Sequence, residues 1–229
     1  MKRYVYIAAG LILGVLATVL WQKYTYKAAP NLAVTTVKLE SRPANWAQPV
    51  DPDFALYKMS DSLYRSALPR AHDVEWLQQS KIQTVINFYQ KPDGFWLHDT
   101  GIEQIQIPLR TDRIDDVDVL RVLRSIARAE QKGKVLMHCK HGQNRTGLIA
   151  AMYRIVFEGW SKADAMAEMQ QGYGGEERMA GANRYLENVD VDAIKQALAS
   201  SACSTQPLAW CQVEHWFRQR VNKILNRNG

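Results

Sequence analysis

Apolar and polar residues form a pattern along this chain in which short apolar runs alternate with longer amphipathic stretches. The short runs, at about 84–88, 102–109 and 135–138, predict strands because each is only a few residues long. Apolar residues recur at helical spacing at about 73–79, 117–131, 146–158, 161–171, 190–199 and 208–225. Such alternation predicts an α/β fold in which helices flank a central, mostly parallel sheet.

The start of the chain predicts export across a membrane. The stretch from Tyr4 to Trp21 is uncharged and 18 residues long. That length is near the lower limit for a membrane-spanning helix and longer than most signal-peptide cores. Lys2 and Arg3 precede the stretch and favour a cytoplasmic N-terminus. We therefore expect a signal anchor over residues 1–27, with a cleaved signal peptide as the alternative.

The rest of the chain divides into a tether and one globular domain. Residues 28–50 carry three prolines and have weak periodicity, which is typical of a tether. Residues 51–229 form the expected domain, since 47% hydrophobic and 23% charged residues exclude a mostly disordered chain.

The charge distribution argues against a nucleic-acid partner. Of the net charge of +6, residues 1–27 contribute +4, from two lysines and an arginine among the first 23 residues and Lys27, with no acid. This leaves +2 over the other 202 residues. A near-neutral body lacks the basic surface that binds DNA or RNA.

Three cysteines raise the question of a disulfide. An odd number in an exported chain suggests one pair and one free thiol. Cys203 and Cys211 are close in sequence and flanked by turn-type residues, so we expect them to pair and Cys139 to stay free. If the body were cytosolic, three reduced cysteines would be the better expectation.

The segment HCKHGQNRTG, residues 138–147, lies between a predicted strand and a predicted helix. A loop that wraps onto a helix N-terminus points backbone N–H groups inward and adds the positive end of the helix dipole, which suits a tetrahedral dianion. Gly142 allows the turn, and Arg145 can bind two phosphoryl oxygens at once. The segment therefore predicts a phosphate-binding loop made of His138, Lys140, His141, Gly142, Gln143 and Asn144.

The same loop favours nucleophilic catalysis by Cys139. Inward N–H groups and a guanidinium stabilise a thiolate. We expect this thiolate to attack phosphorus and form a thiophosphate that water then hydrolyses. Thr146 can donate a hydrogen bond to the sulfur, and His138 is expected to brace the loop. No metal and no other cofactor is expected.

A leaving alkoxide or phenoxide needs a proton, so a general acid is expected on a separate loop. The stretch 109–120 offers Asp112, Asp115 and Asp116. Asp115 and Asp116 directly precede a predicted helix and suit its N-cap and first turn. Asp112 is therefore the predicted acid, with Asp115 as the alternative.

HCKHGQNRTG resembles the catalytic loop of cysteine-dependent protein tyrosine phosphatases, and the short domain resembles their dual-specificity subgroup. LYRSALP, TVINF and IPLRTDR, which begin at positions 63, 84 and 107, resemble bacterial members. With the export segment, the region from about 44 to 211 is similar to periplasmic members related to biofilm formation. The resemblance implies that Cys139 is the nucleophile, Arg145 the phosphate-binding arginine and Asp112 the general acid.

The resemblance also implies a location and a partner. It implies a periplasmic domain, anchored in the inner membrane, that acts on a phosphotyrosine protein such as the exported part of a membrane diguanylate cyclase. No Trp-Pro-Asp stands at the acid loop, a departure from the family pattern that is common in the dual-specificity subgroup. Arg65 in LYRSALP matches a family position, and a structural ion pair is its expected role.

Other functions are compatible with the loop chemistry. Phosphoserine, phosphothreonine, a phosphoinositide-like compound or another small phosphate ester could be the substrate. A binding module without turnover and a rhodanese-like sulfur transferase are the remaining alternatives. The combination of Cys139, Arg145 and Thr146 with an acid argues against the module, and the Arg-Thr-Gly ending fits phosphate better than sulfur transfer.

Overall fold

A computed structural model describes residues 42–110, 112–173, 179–206, 209–211 and 213. These residues belong to the unit formed by residues 34–229. No helix within those ranges is long and apolar enough to cross a bilayer. The expected export segment, and most of the helix expected at 208–225, lie outside the described residues.

Strands and helices alternate between residues 74 and 157, as the sequence pattern predicts, and helices follow. The strands are β1 (Gln48–Asp51), β2 (Leu56–Lys58), β3 (Leu63–Ser66), β4 (Ile82–Asn87), β5 (Glu103–Gln106) and β6 (Lys134–His138). The helices are α1 (Val74–Gln79), α2 (Gly94–Leu97), α3 (Asp116–Glu130), α4 (Asn144–Phe157), α5 (Lys162–Gln171), α6 (Ala180–Asn188) and α7 (Val191–Ala199). The pattern does not predict β1, β2, β3, α2 or α6.

The sheet formed by the described residues is mixed: three of its five strand pairs are parallel, as expected, and two at one edge are antiparallel. Its strand order is β1-β2-β3-β6-β4-β5. The pairs β3–β6, β6–β4 and β4–β5 are parallel, whereas β1–β2 and β2–β3 are antiparallel. Only four residues separate each antiparallel pair, and connections that short allow no crossover to a parallel neighbour.

The expected tether over residues 28–50 overlaps the folded body. Residues 48–50 lie in β1, and Ala47 is fully buried. The backbone N–H of Ala47 donates to Glu168 Oε1 at 2.6 Å, which fixes the approach to β1 onto α5. The folded domain therefore begins before residue 51, the start expected from composition. Its first residues are held by the buried hydrogen bond of Ala47 and not by an apolar run.

The central strand β6 is buried on both faces. Val135 and Met137 pack into the larger core, which α3, α4 and the later helices cover. Leu136 packs into a second core with residues of α1 and α2. A strand covered on both faces needs a continuous apolar run, as Val-Leu-Met here. His138 follows Leu136 by two residues and therefore points toward the α2 side of the sheet.

A buried carboxylate joins three parts of the domain. Glu168 on α5 is 2% exposed and accepts from Arg154 Nε on α4 at 3.0 Å and from the Tyr173 hydroxyl at 2.7 Å, besides its bond from Ala47. Burial acts to raise the pKa of Glu168, but the hydrogen bond and charge of Arg154 outweigh it, so the pKa lies below its ordinary value. The ionised form is the one the fold stabilises.

Replacing Glu168 with glutamine should lower the free energy of unfolding at pH 7 by about 3 kcal/mol, because the buried Arg154 then keeps only the partly exposed Glu158 as a charged partner. Glu158→Gln is the matched control, since Glu158 pairs with the same arginine but is 25% exposed. The control should lose about 1 kcal/mol or less. A carboxyl with a lowered pKa stabilises above its unfolded pKa, so the Glu168 effect should shrink in acid. Urea unfolding at several pH values measures the loss of unfolding free energy in each variant and its change with pH. Equal losses in the two variants would contradict the account.

Candidate active site

Cys139 is the first residue after β6 and lies at the carboxyl end of the central strand. It is 2% exposed and is a free thiol. Residues 139–143 form the loop that connects β6 to α4. In open α/β sheets ligands bind at the carboxyl ends of the strands, and the N-terminus of α4 adds unpaired backbone N–H groups at that edge. The predicted strand, loop and helix around Cys139 are therefore all present.

Gly142 determines the path of this loop. Its φ is +71°, a conformation that favours glycine. A Cβ atom at this position would come within 2.7 Å of the backbone of Ser66 and Ala67. The loop is thus packed directly against the end of β3, which explains why the turn here requires a residue without a side chain.

Arg145 is the second residue of α4 and is 7% exposed. Its Nη1 donates to the carbonyl of Phe88 at 3.2 Å and to Gln90 Oε1 at 2.9 Å. The ring of Tyr89 lies 5.5 Å from its Cζ. Gln90 in turn donates from Nε2 to the carbonyl of Leu109 at 2.8 Å. The segment after β4 therefore orients the guanidinium and links it to the start of the loop that carries Asp112.

The buried polar atoms at this site that lack a hydrogen-bond partner among the described residues include Nε of Arg145 and the hydroxyl of Thr146. Buried polar atoms in proteins are nearly always hydrogen-bonded, so an orphaned pair at one helix N-terminus calls for an explanation. A phosphoryl group could accept from Arg145, and a thiolate from Thr146. Both atoms belong to residues that the sequence predicts to act on phosphate or sulfur.

His138 braces the loop through a carboxylate that the sequence pattern does not single out. Its Nε2 lies 2.8 Å from Asp93 Oδ2, and its Nδ1 lies 3.4 Å from the carbonyl of Cys139. Asp93 also accepts from Trp96 Nε1 at 3.1 Å, which orients the carboxylate. All three side chains are buried. Asp93 stands in the turn Lys-Pro-Asp-Gly, where an aspartate usually suggests only a local turn.

The remaining residues of the predicted phosphate-binding loop differ in their surroundings. Lys140 and His141 are exposed, and Gln143 and Asn144 are partly buried. The side chain of Gln143 donates to the carbonyl of Tyr173 at 3.2 Å. The side chain of Gln143 therefore contacts the rest of the domain, and its backbone N–H lies at the N-terminus of α4, where such groups can bind an anion.

Asp112 and Asp115 have different roles in the structure. Asp112 is 67% exposed and accepts from Arg110 Nη2 at 3.2 Å. The hydrogen bonds from Arg110 hold the pKa of Asp112 below its ordinary value. Asp115 accepts from the backbone N–H of Asp118 at 3.0 Å and is the N-cap of α3, as predicted. Of these two aspartates only Asp115 caps a helix, so Asp112 remains the predicted acid.

The structure contains the expected disulfide between Cys203 and Cys211. Beside it, the Thr205 hydroxyl donates to Asp116 in the first turn of α3. The Tyr185 hydroxyl donates to the same carboxylate at 2.8 Å. The segment closed by the disulfide is therefore in contact with the helix that follows the Asp112 loop.

Comparison with known proteins assigns this arrangement to a family. The tyrosine phosphatase family profile matches residues 51–206, a span that runs from β1 to the disulfide segment and includes the loop. The chain therefore belongs to the tyrosine phosphatase family.

The resemblance to bacterial dual-specificity phosphatases is confirmed. The dual specificity protein phosphatase TpbA of Pseudomonas aeruginosa is 48% identical over 179 residues, which cover 78% of this chain and 82% of the relative. The crystal structure of TpbA superposes with a TM-score of 0.68 at 49% identity, covering 69% of this chain and 99% of that one. A TpbA variant in complex with pTyr matches equally well. Inositol diphosphatase DSP3 of Arabidopsis thaliana is 26% identical, over 62% of this chain and 73% of the relative.

Proposed function

We propose that this chain removes phosphate from phosphotyrosine residues of proteins through a cysteinyl-phosphate intermediate. The observation that carries the proposal is the burial of Cys139 and Arg145 on either side of one loop, with orphaned polar atoms on Arg145 and Thr146. A related phosphatase that shares nearly half of the sequence has been crystallised with pTyr.

In the first step, the Cys139 thiolate attacks phosphorus and forms a sulfur–phosphorus bond while the bond to the tyrosine oxygen breaks. Arg145 holds two phosphoryl oxygens, and backbone N–H groups of the loop bind the third. Asp112 gives its proton to the leaving oxygen. In the second step, water attacks phosphorus and the sulfur–phosphorus bond breaks. Asp112 accepts the proton of that water, and Thr146 donates a hydrogen bond to the returning thiolate.

A comparison of substrates tests the proposal. Purified protein in EDTA should hydrolyse phosphotyrosine peptides, with vanadate as an inhibitor. Phosphoserine and phosphothreonine peptides and inositol phosphates serve as competing substrates at equal concentration. Higher kcat/KM for inositol phosphates than for any peptide would overturn the protein substrate and favour the small phosphate esters instead.

We further propose that the domain acts in the periplasm, on the exported part of a membrane protein such as a diguanylate cyclase. The uncharged stretch from Tyr4 to Trp21 supports export, as does the Cys203–Cys211 disulfide, because disulfides persist in oxidising compartments. Fractionation of cells that express the full chain tests this. Release by osmotic shock would indicate a cleaved signal, retention in carbonate-washed membranes an anchor, and recovery with the cytosol would refute export.

If Asp112 is the acid, its partner Arg110 should set the upper end of the pH range. Removing Arg110 takes away the largest cause of the lowered pKa of Asp112, so the acid stays protonated to higher pH. In Arg110→Ala, the alkaline limb of kcat/KM for a phosphotyrosine peptide should therefore move to higher pH.

Three variants make the acid assignment testable. Asp112→Asn should lower kcat by about 10² to 10⁴-fold, least for activated aryl phosphates. Arg121→Ala, which removes an exposed arginine paired with Asp118, should leave the pH profile unchanged. If Asp115→Asn rather than Asp112→Asn shows the leaving-group dependence, Asp115 is the acid.

A further inference from the structure

Arg65 forms no ion pair with any described residue, which differs from the role expected from its place in the family motif; it contacts a carbonyl and an aromatic ring instead. It is 1% exposed, at the end of β3 next to β6. Its Nη2 donates to the carbonyl of Gly142 at 2.5 Å, and its guanidinium lies over the ring of Tyr173, 3.3 Å from the ring centre. A buried charge beside the catalytic loop is therefore stabilised by a carbonyl and an aromatic face.

Tyr173 is itself held firmly in place. Its hydroxyl donates to Glu168 Oε1 at 2.7 Å, and its carbonyl accepts from the Gln143 side chain at 3.2 Å. Its ring packs edge-on against Tyr57, with centres 4.8 Å apart. Tyr173 thus supports the loop twice, once through Gln143 and once through Arg65.

The contact between Arg65 and Gly142 bears on the direction of a peptide group. Rotation of the peptide between Gly142 and Gln143 would change ψ of Gly142, which glycine tolerates, together with φ of Gln143, which is −97° here. In a trans peptide the carbonyl and the next N–H point in opposite directions. A carbonyl of Gly142 held by Arg65 therefore turns the N–H of Gln143 to the opposite side. A rotated peptide would instead present a carbonyl oxygen where that N–H had been.

We propose that Arg65, seated on Tyr173, is a positioning residue that keeps the Gly142 carbonyl away from the phosphoryl group and the Gln143 N–H directed toward it. This inference rests on the proposed phosphatase mechanism. Arg65 acts through the loop and does not touch the substrate. The bond of Arg65 to the loop is charge-assisted and buried, which makes it strong enough to fix a glycine-containing peptide.

Vanadate inhibition measures the oriented N–H groups without requiring turnover. Arg65→Met should raise the vanadate Ki by about tenfold or more, the cost of losing a hydrogen bond from a charged group. It should also slow alkylation of Cys139 by iodoacetamide at pH 6.5. Arg65→Lys keeps the charge but cannot lie flat on the ring while bonding the carbonyl, so it should restore little.

Changes at Tyr173 test the same idea from outside the loop, also in case Arg65→Met fails to fold. Tyr173→Leu removes the aromatic face and should raise the Ki more than Tyr173→Phe, which keeps the ring. Tyr153→Phe is the control for destabilisation alone, because it removes a bond to Glu130 far from the loop. It should lower the thermal midpoint and leave the Ki unchanged.

The outcomes separate this inference from the proposed function. If the wild-type protein neither binds vanadate nor turns over an aryl phosphate, the proposed function fails. If the wild-type protein does both, and folded Arg65→Met and Tyr173→Leu keep its Ki and alkylation rate, the positioning role is wrong. Full restoration by Arg65→Lys would also overturn it, because charge alone would then suffice.

Discussion

Replacing Cys139 with serine should lower the turnover of an aryl phosphate by about 10⁴-fold or more, because a hydroxyl does not supply the anionic nucleophile. The effect should be on kcat, since the phosphate-binding N–H groups and Arg145 are retained. Cys139 is buried at the end of β6, so serine fits the same space without a cavity. Steady-state kinetics with the wild-type protein and the variant measure the loss.

The binding of the unreactive variant provides the control. Cys139→Ser should still bind a phosphotyrosine peptide, and calorimetry should give a Kd within about tenfold of the wild-type KM. Loss of both binding and turnover would point to a disrupted loop. Retention of more than a tenth of the wild-type kcat would exclude Cys139 as the nucleophile.

Arg145→Lys should lower kcat/KM by about 10³-fold, although the charge is kept. Lysine cannot bind two phosphoryl oxygens in one plane. It also cannot keep the bonds of Nη1 to Phe88 and Gln90 while reaching the phosphate. The loss should appear in both kcat and vanadate affinity, because the guanidinium contacts the phosphoryl group throughout the reaction.

A second arginine substitution shows whether the loss is specific. Arg121→Lys changes an exposed residue of α3 and should leave kcat/KM within twofold of the wild-type value, about the scatter of such assays for a surface change. If Arg145→Lys were as active as Arg121→Lys, a point charge would be sufficient at position 145. The proposal that Arg145 binds two phosphoryl oxygens at once would then be wrong.

The core of the site is predictable from sequence because its parts are adjacent in the chain. The apolar run before His138, the glycine at 142 and the helix after Arg145 together describe a strand, a turn and a helix N-terminus. Each of these follows from local preferences, and Cys139 and Arg145 add the nucleophile and the phosphate-binding guanidinium at the two ends of the same loop. The phosphate loop is therefore a local structure.

The supporting residues are not predictable in this way because the order of the strands brings them to the loop. β6 lies between β3 and β4, so Ser66 and Asn87 both pair with His138. Arg65 therefore reaches the loop from one side, and residues after β4 reach it from the other. Alternation of strands and helices predicts parallel pairing, but it does not state which strands are neighbours.

The antiparallel strands at the edge of the sheet are not predictable from sequence for a different reason. β1 is largely exposed and contains Pro49, so neither its composition nor its periodicity favours a strand. Its place depends on pairing with β2 and on the hydrogen bond that the backbone N–H of Ala47 donates to Glu168. Both partners are set by tertiary structure.

The most direct test of the account is mass spectrometry of the protein quenched in acid during turnover of an aryl phosphate. We expect one phosphoryl group on the peptide that contains Cys139, more of it in Asp112→Asn if the aspartate also serves the hydrolysis step, and none in Cys139→Ser. A wild-type protein that turns over substrate but carries no adduct on Cys139, or carries it on another residue, would contradict the account.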